Sequence, residues 1–121
     1  MSLKEVTTNY QKIKASLPPE VQLVAVSKTH PVEKILEVYN LGQRVFGENK
    51  VQELREKQPL LPQEIQWHLI GHLQTNKVKY IAEFIDTIQS VDPGRRRDEI
   101  NRQAAKNNRK IKVLLQVKIA E

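Results

Sequence analysis

Val21-Gln22-Leu23-Val24-Ala25-Val26-Ser27-Lys28-Thr29-His30-Pro31 runs from an apolar, β-rich stretch into a lysine and a proline. From Val21 to Val26 the apolar run is nearly continuous, which is the pattern of a strand buried on both faces. Such strands belong to parallel sheets sandwiched between other layers, so the neighbouring segments should be helices. They read that way. Upstream, Leu3, Val6, Tyr10, Ile13 and Leu17 recur at helical spacing until Pro18-Pro19 stops the helix. Downstream, Pro31 opens a helix in which Val32, Ile35, Leu36 and Tyr39 share one face, and Gly42 closes it.

The alternation continues to the end of the chain. Arg44–Gly47 is a short strand, followed by a helix from Asn49 with Val51 and Leu54 inward. Ile65–Ile70 reads as a strand, and Asn76–Phe84 as a helix carrying Val78, Ile81 and Ala82. Ile85–Val91 is a strand ending at Asp92-Pro93, a cap and a first-turn proline. A helix from about Arg95 to Asn107 and a last strand, Lys112–Ile119, complete the pattern. Strand then helix, repeated, argues for parallel βα units in an α/β fold with an extra N-terminal helix. About five strands are present where a closed barrel has eight and typically ~250 residues. The sequence therefore predicts either a small open sheet or the first part of a parallel (β/α) TIM-type barrel, one domain over residues 1–121 lacking its late strands.

Composition narrows the partners. The 121 residues contain no cysteine, which excludes disulfides, thiolate chemistry and cysteine-based zinc sites. No apolar run approaches the ~20 residues of a membrane span. The start, Met1-Ser2-Leu3-Lys4-Glu5, lacks a secretory h-region, so a cytoplasmic location is expected. Twenty basic against 14 acidic residues give +6, a balance that suits a phosphate-bearing partner. The only dense basic run is Arg95-Arg96-Arg97, set beside Asp98 and Glu99. Elsewhere lysines alternate with glutamates, as on solvated helix faces. With aromatics at 5%, platforms for stacking bases are scarce. No nucleic-acid partner is expected.

In parallel α/β folds, function gathers where strands end and helices begin. Here those junctions are Ser27-Lys28-Thr29-His30, Gly47-Glu48-Asn49, Gly71-His72-Leu73-Gln74 and Ser90-Val91-Asp92. Lys28 stands out because Val24, Val26 and Lys28 point to one face of the strand. A lysine on a buried face loses hydration, which favours the neutral amine that condenses with an aldehyde. The competing reading is a strand-end lysine that snorkels to water. Asn49 with Gln52 three residues on is a plausible capping box, and His72 follows Gly71, a small residue that permits close ligand approach. His72 also reads as a histidine hydrogen-bonded within the fold. His68 and His72 would lie ~13 Å apart on a strand, too far to share a metal ion. His30 receives no role, and Trp67 reads as core or wall.

The segment Val24-Ala25-Val26-Ser27-Lys28-Thr29 resembles the cofactor-lysine segment of the pyridoxal phosphate homeostasis protein family. Phe46-Gly47-Glu48-Asn49-Lys50-Val51-Gln52-Glu53, Trp67-His68-Leu69-Ile70-Gly71-His72-Leu73-Gln74-Thr75-Asn76-Lys77 and Ser90-Val91-Asp92 resemble that family too. Together they cover nearly the whole chain in the right order. The resemblance implies the barrel shared with the N-terminal domain of bacterial alanine racemase. It implies pyridoxal 5′-phosphate held as a Schiff base on Lys28, with Val26, Asn49 and His72 near the cofactor. It also implies a carrier in vitamin B6 and amino-acid homeostasis with no established catalysis. Two departures stand out: Lys118 where many members have asparagine, and Pro93-Gly94-Arg95-Arg96-Arg97 at a helix start, the unfavourable end for cations. The family's late-strand phosphate loops and pyridine-nitrogen partner are absent from these 121 residues.

Two other functions stay open. One is a racemase-like enzyme, which needs a second proton donor across the substrate. Tyr10, Tyr39 and Tyr80 all fall at core-facing helix positions and are poor substitutes. The other is a basic nucleic-acid-binding module built on Arg95–Arg97. Alone, the chain would leave its first and last strands as open edges, so self-association is expected.

Overall fold

The computed structural model describes residues 3–115. Helix α1 (Leu3–Ser16) precedes five strands: β1 (Ala25–Val26), β2 (Val45–Glu48), β3 (Gln66–Leu69), β4 (Ile85–Val91) and β5 (Lys112–Leu115). Between them lie α2 (Val32–Asn40), α3 (Val51–Lys57), α4 (Val78–Ile81) and α5 (Arg95–Lys106), with 3-10 turns at Gln58–Leu60 and Thr75–Lys77. All neighbouring strands pair in parallel, and the sheet order is β1-β2-β3-β4-β5. A doubly wound sheet reverses direction at a switch point, whereas this one never does. Right-handed crossovers that always step the same way put every connecting helix on one face of the sheet. That is the opening part of a parallel barrel, as the alternation predicts.

The core lies between sheet and helices. Phe46, Trp67, Leu69, Ile85 and Ile88 meet Ile35, Leu54, Val78, Ile81 and Ile100 there. Phe46 and Trp67 pack as tilted rings 6.1 Å apart, so Trp67 is core. Val78, Ile81 and Ala82 are all fully buried, as their spacing predicts. Gly42, at φ +111°, ends α2 with its amide bonded to the Tyr39 carbonyl.

Several expectations need correcting. The apolar run Val21–Val26 forms only a two-residue strand, and Val21 and Val26 are each about half exposed. Among the described residues β1 has one pairing neighbour, and the face opposite the helices carries no covering layer, so a sequence suited to two-sided burial is covered on one. Lys28 is likewise exposed, so the face it shares with Val24 and Val26 does not desolvate it. Ile13 and Leu36 are exposed because α1 and α2 turn Tyr10, Ile35 and Val38 inward instead. Tyr80 is exposed with the Arg55 guanidinium stacked 4.2 Å from its ring centre, while Tyr10 is buried and Tyr39 half-buried. Asn49 is no cap: α3 starts at Val51 after Lys50, without a side-chain cap bond. Asp92 is no cap either, since Gly94 at φ +121° takes the N-cap position before α5 and Asp92 pairs with Arg96 at 3.7 Å. The far part of the predicted last strand, including Lys118, lies outside the described residues.

Candidate functional site

Lys28, Asn49 and His72 follow β1, β2 and β3, at the carboxyl rim of the sheet. They share a rim but not a cavity. Asn49 and His72 line a cleft of about 680 Å³ together with Lys50, Arg55, Lys77 and Tyr80. Val26 lines a separate, more apolar groove with Val6, Ser27, His30 and Val38. Lys28 lines neither.

Gly71 takes a different part from the one expected. A Cβ there would overlap the backbone oxygen and side chain of Asn49, so Gly71 makes room for Asn49 rather than for a ligand. Gly71→Ala is expected to push Asn49 aside and to destabilise the fold by about 1–3 kcal/mol, as overpacking does. Denaturant unfolding checks this, and an unchanged midpoint would contradict it. Gly47 is close-packed rather than open: a Cβ would come 3.1 Å from Val24 Cγ1 and 3.2 Å from Ile70 Cγ2, the side chains that close over it on the face that Lys28 shares.

On that face His68 is buried, with the Gln89 amide 3.2 Å from Nδ1 and Asp86 Oδ2 3.5 Å from Nε2. Gln89 donates to Nδ1, which leaves the ring proton on Nε2 facing Asp86. Burial pushes the imidazole below its ordinary pKa, Asp86 opposes the shift and Lys112 adds to it. The folded state therefore prefers neutral His68, while the unfolded chain titrates near pH 6.5. Stability from this group is complete above that pH and is lost as pH falls below it. The urea midpoint should be lower at pH 5.5 than at pH 7.5, and His68→Gln should shrink the difference. A midpoint that rises on acidification would reverse the assignment.

The other face holds a cluster that the sequence did not announce. Glu48 is completely buried, and Lys57 Nζ reaches its Oε2 at 2.8 Å, Glu53 Oε2 at 2.7 Å and the Ser27 carbonyl at 2.7 Å. The Ser27 hydroxyl also bonds Glu48 Oε2, and the Thr29 amide donates to Glu53 Oε2 at 2.5 Å. The hydrogen bond from Lys57, chiefly, holds the Glu53 carboxyl below its usual range, against a smaller effect of burial. A signal existed: Glu48 ends a strand whose other residues are buried, and a carboxylate there requires a cation. Glu53 and Lys57 are spaced i, i+4 on the next helix.

The alanine racemase N-terminal domain model matches residues 1–120. The pyridoxal phosphate homeostasis protein of Pasteurella multocida is 40% identical over 99% of this chain and 54% of its own length. The structure of PipY from Synechococcus elongatus with pyridoxal phosphate bound superposes at TM-score 0.85 with 43% identity, covering 98% of this chain and 56% of that one. Alanine racemase from E. faecalis, at 16% identity and TM-score 0.73 over 93% of this chain and 32% of its own, shares the fold. The chain spans about half the length of the curated relatives it matches. With its sheet order, its motifs and a family match along nearly every residue in agreement, the chain belongs to the alanine racemase N-terminal domain family, among relatives named as pyridoxal phosphate homeostasis proteins.

Proposed function

We propose that residues 1–121 form the opening part of a barrel that holds pyridoxal 5′-phosphate covalently through Lys28, as a carrier in vitamin B6 and amino-acid homeostasis rather than a catalyst. The observation that carries this reading is Lys28 itself: an exposed primary amine at the carboxyl rim of a parallel barrel sheet, next to the buried Ser27. PipY, 43% identical, was solved with that cofactor bound, which supports pyridoxal phosphate as the ligand. The residues fit the group. Lys28 offers an amine to an aldehyde, and Val26 presents a half-exposed apolar side chain two residues before the lysine. Asn49 and His72 stand at the next two strand ends, where they would contact the cofactor from the side of their shared cleft. When bound, the cofactor supplies a reactive aldehyde and an electron-withdrawing ring.

A carrier needs only the anchor. A racemase also needs a second proton donor, and the Tyr10 and Tyr39 hydroxyls are bonded to Gln43 and Glu64. The arginine run is locally engaged, Arg96 with Asp92 and Arg97 with Asp98, which disfavours a nucleic-acid role. Among the described residues no helix is long and apolar enough to cross a membrane, and a cytoplasmic location is part of the proposal. Titrating the chain into pyridoxal phosphate should give a saturable change in the cofactor's absorbance, with amino-acid isomerisation at background. No saturation up to millimolar protein would sink the binding reading. Turnover lost in Lys28→Ala would replace the carrier with an enzyme.

The open edges bear on assembly. Among the described residues β1 and β5 each have one pairing neighbour, and Val26, Leu114 and Leu115 are about half exposed beside them. Open edges, though short, invite pairing when exposed apolar side chains flank them, so the 121-residue polypeptide is expected to self-associate, most simply as a dimer. Sedimentation velocity should show species larger than the monomer that dissociate on dilution. A monomer throughout the micromolar range would oppose this.

A further inference from the structure

We infer that Lys57, with Glu48 and Glu53, is the positioning device of the anchor lysine: a buried ion cluster that clamps the backbone on both sides of Lys28. The inference rests on the reading of Lys28 as the cofactor anchor, and its test separates the two.

Lys28 sits between two residues tied to one ammonium group. On its N-terminal side, the Ser27 carbonyl accepts from Lys57 Nζ at 2.7 Å and its amide donates to the Gly47 carbonyl at 2.9 Å. The Ser27 hydroxyl lies within bonding reach of both the Gly47 carbonyl and Glu48 Oε2. On its C-terminal side, the Thr29 amide donates to the Glu53 oxygen that Lys57 also holds. Thr29 has φ +63°, a left-handed conformation that a β-branched residue adopts only when its surroundings impose it. The bond to Glu53 supplies that constraint, and the His30 amide closes the turn on the Ser27 carbonyl at 3.1 Å. The Lys28 side chain itself is exposed. Its backbone is held, and its amine is available.

The chemistry of the cluster favours a geometric role. All three Lys57 hydrogens have acceptors, in three directions, which fixes the ammonium as a junction between α3, β2 and the end of β1. Glu48 Oε1 is buried with no hydrogen-bond partner among the described residues, so Lys57 and Ser27 compensate this carboxylate by themselves. Buried ion pairs are often poorer stabilisers than apolar packing of the same volume, whereas in some proteins buried polar groups fix register and orientation. An apolar contact could fill the space, but it could not hold a carbonyl on one side of Lys28 and an amide on the other.

The test uses the full chain and two readouts. The first is hydrogen exchange of the 27–30 peptide, followed by mass spectrometry. The second is labelling with pyridoxal phosphate and borohydride: amine and aldehyde condense with loss of water, and hydride reduces the new C=N bond to a stable amine. Label at Lys28 is referred to label at the exposed Lys106 of the same molecule. The variants are Lys57→Met and Glu53→Ala, the second touching a partly exposed side chain and so keeping the fold where the first destabilises it. Both should speed exchange in the 27–30 peptide at least tenfold and lower the Lys28/Lys106 ratio at least fivefold, at equal folded fraction by circular dichroism. A merely structural role would leave that ratio unchanged in folded protein. Unchanged exchange in Glu53→Ala, or a preserved ratio where the unmodified chain prefers Lys28, would overturn the inference and leave the anchor intact. If the unmodified chain shows no preference for Lys28, the anchor reading fails, and exchange alone then decides whether the clamp exists.

Discussion

Replacing Lys28 by alanine is expected to remove the borohydride-stable pyridoxyl adduct from the chain, with at least a tenfold fall in incorporated label and no change in the unfolding midpoint. The two halves follow from different facts. The Lys28 side chain is exposed, and surface substitutions away from special features shift stability by about 0.5 kcal/mol or less. The label depends on an exposed amine at the sheet rim, and alanine offers none. Peptide mapping of the unmodified chain should place the adduct on the segment containing Lys28. Equal label on Lys4, Lys34 and Lys106, or label that survives Lys28→Ala, would show that the amine is no more than one surface lysine among many.

The layering was legible because apolar periodicity reports it directly. Ile85–Val91 is a strand with the bounds read from its residues, and Val78, Ile81 and Ala82 are buried as their spacing requires. Boundaries failed where backbone geometry, not burial, decides. Asn49 and Asp92 are good cap residues by type, yet Lys50 and Gly94 take the cap positions: α3 starts later than read, at Val51, while α5 starts at Arg95 as read. In the first case Asn49 is drawn against Gly71, a contact between residues 22 positions apart that no local pattern encodes. Val21 to Val26 misled for another reason. Its composition suits burial on both faces, but what covers the second face is not found among the described residues. Lys28, Asn49 and His72 were legible as rim positions because the strand–helix alternation sets each of them just after a strand. The clamp was missed because Glu53 and Lys57 look like any solvated helix pair until β2 brings Glu48 beneath them.

That difference between a surface pair and a buried one sets the second large effect. Lys57→Met is expected to destabilise the chain by about 3–5 kcal/mol, the usual cost of removing one partner of a buried ion pair. Lys57 is 7% exposed and Glu48 not at all, so the variant leaves a carboxylate in the core with only the Ser27 hydroxyl as donor. Against a total stability of about 5–15 kcal/mol for a natural domain, this is a large fraction. The double variant Glu48→Gln, Lys57→Met removes the uncompensated charge along with the cation, and should recover about half of the loss or more. Two residues in direct contact are expected to be non-additive in this sense. Urea unfolding of the two single variants and the double gives the coupling directly. Additive costs would mean that Glu48 and Lys57 do not compensate each other in solution. A Lys57→Met chain as stable as the parent would mean that water reaches the cluster and that the pair behaves like one on the surface.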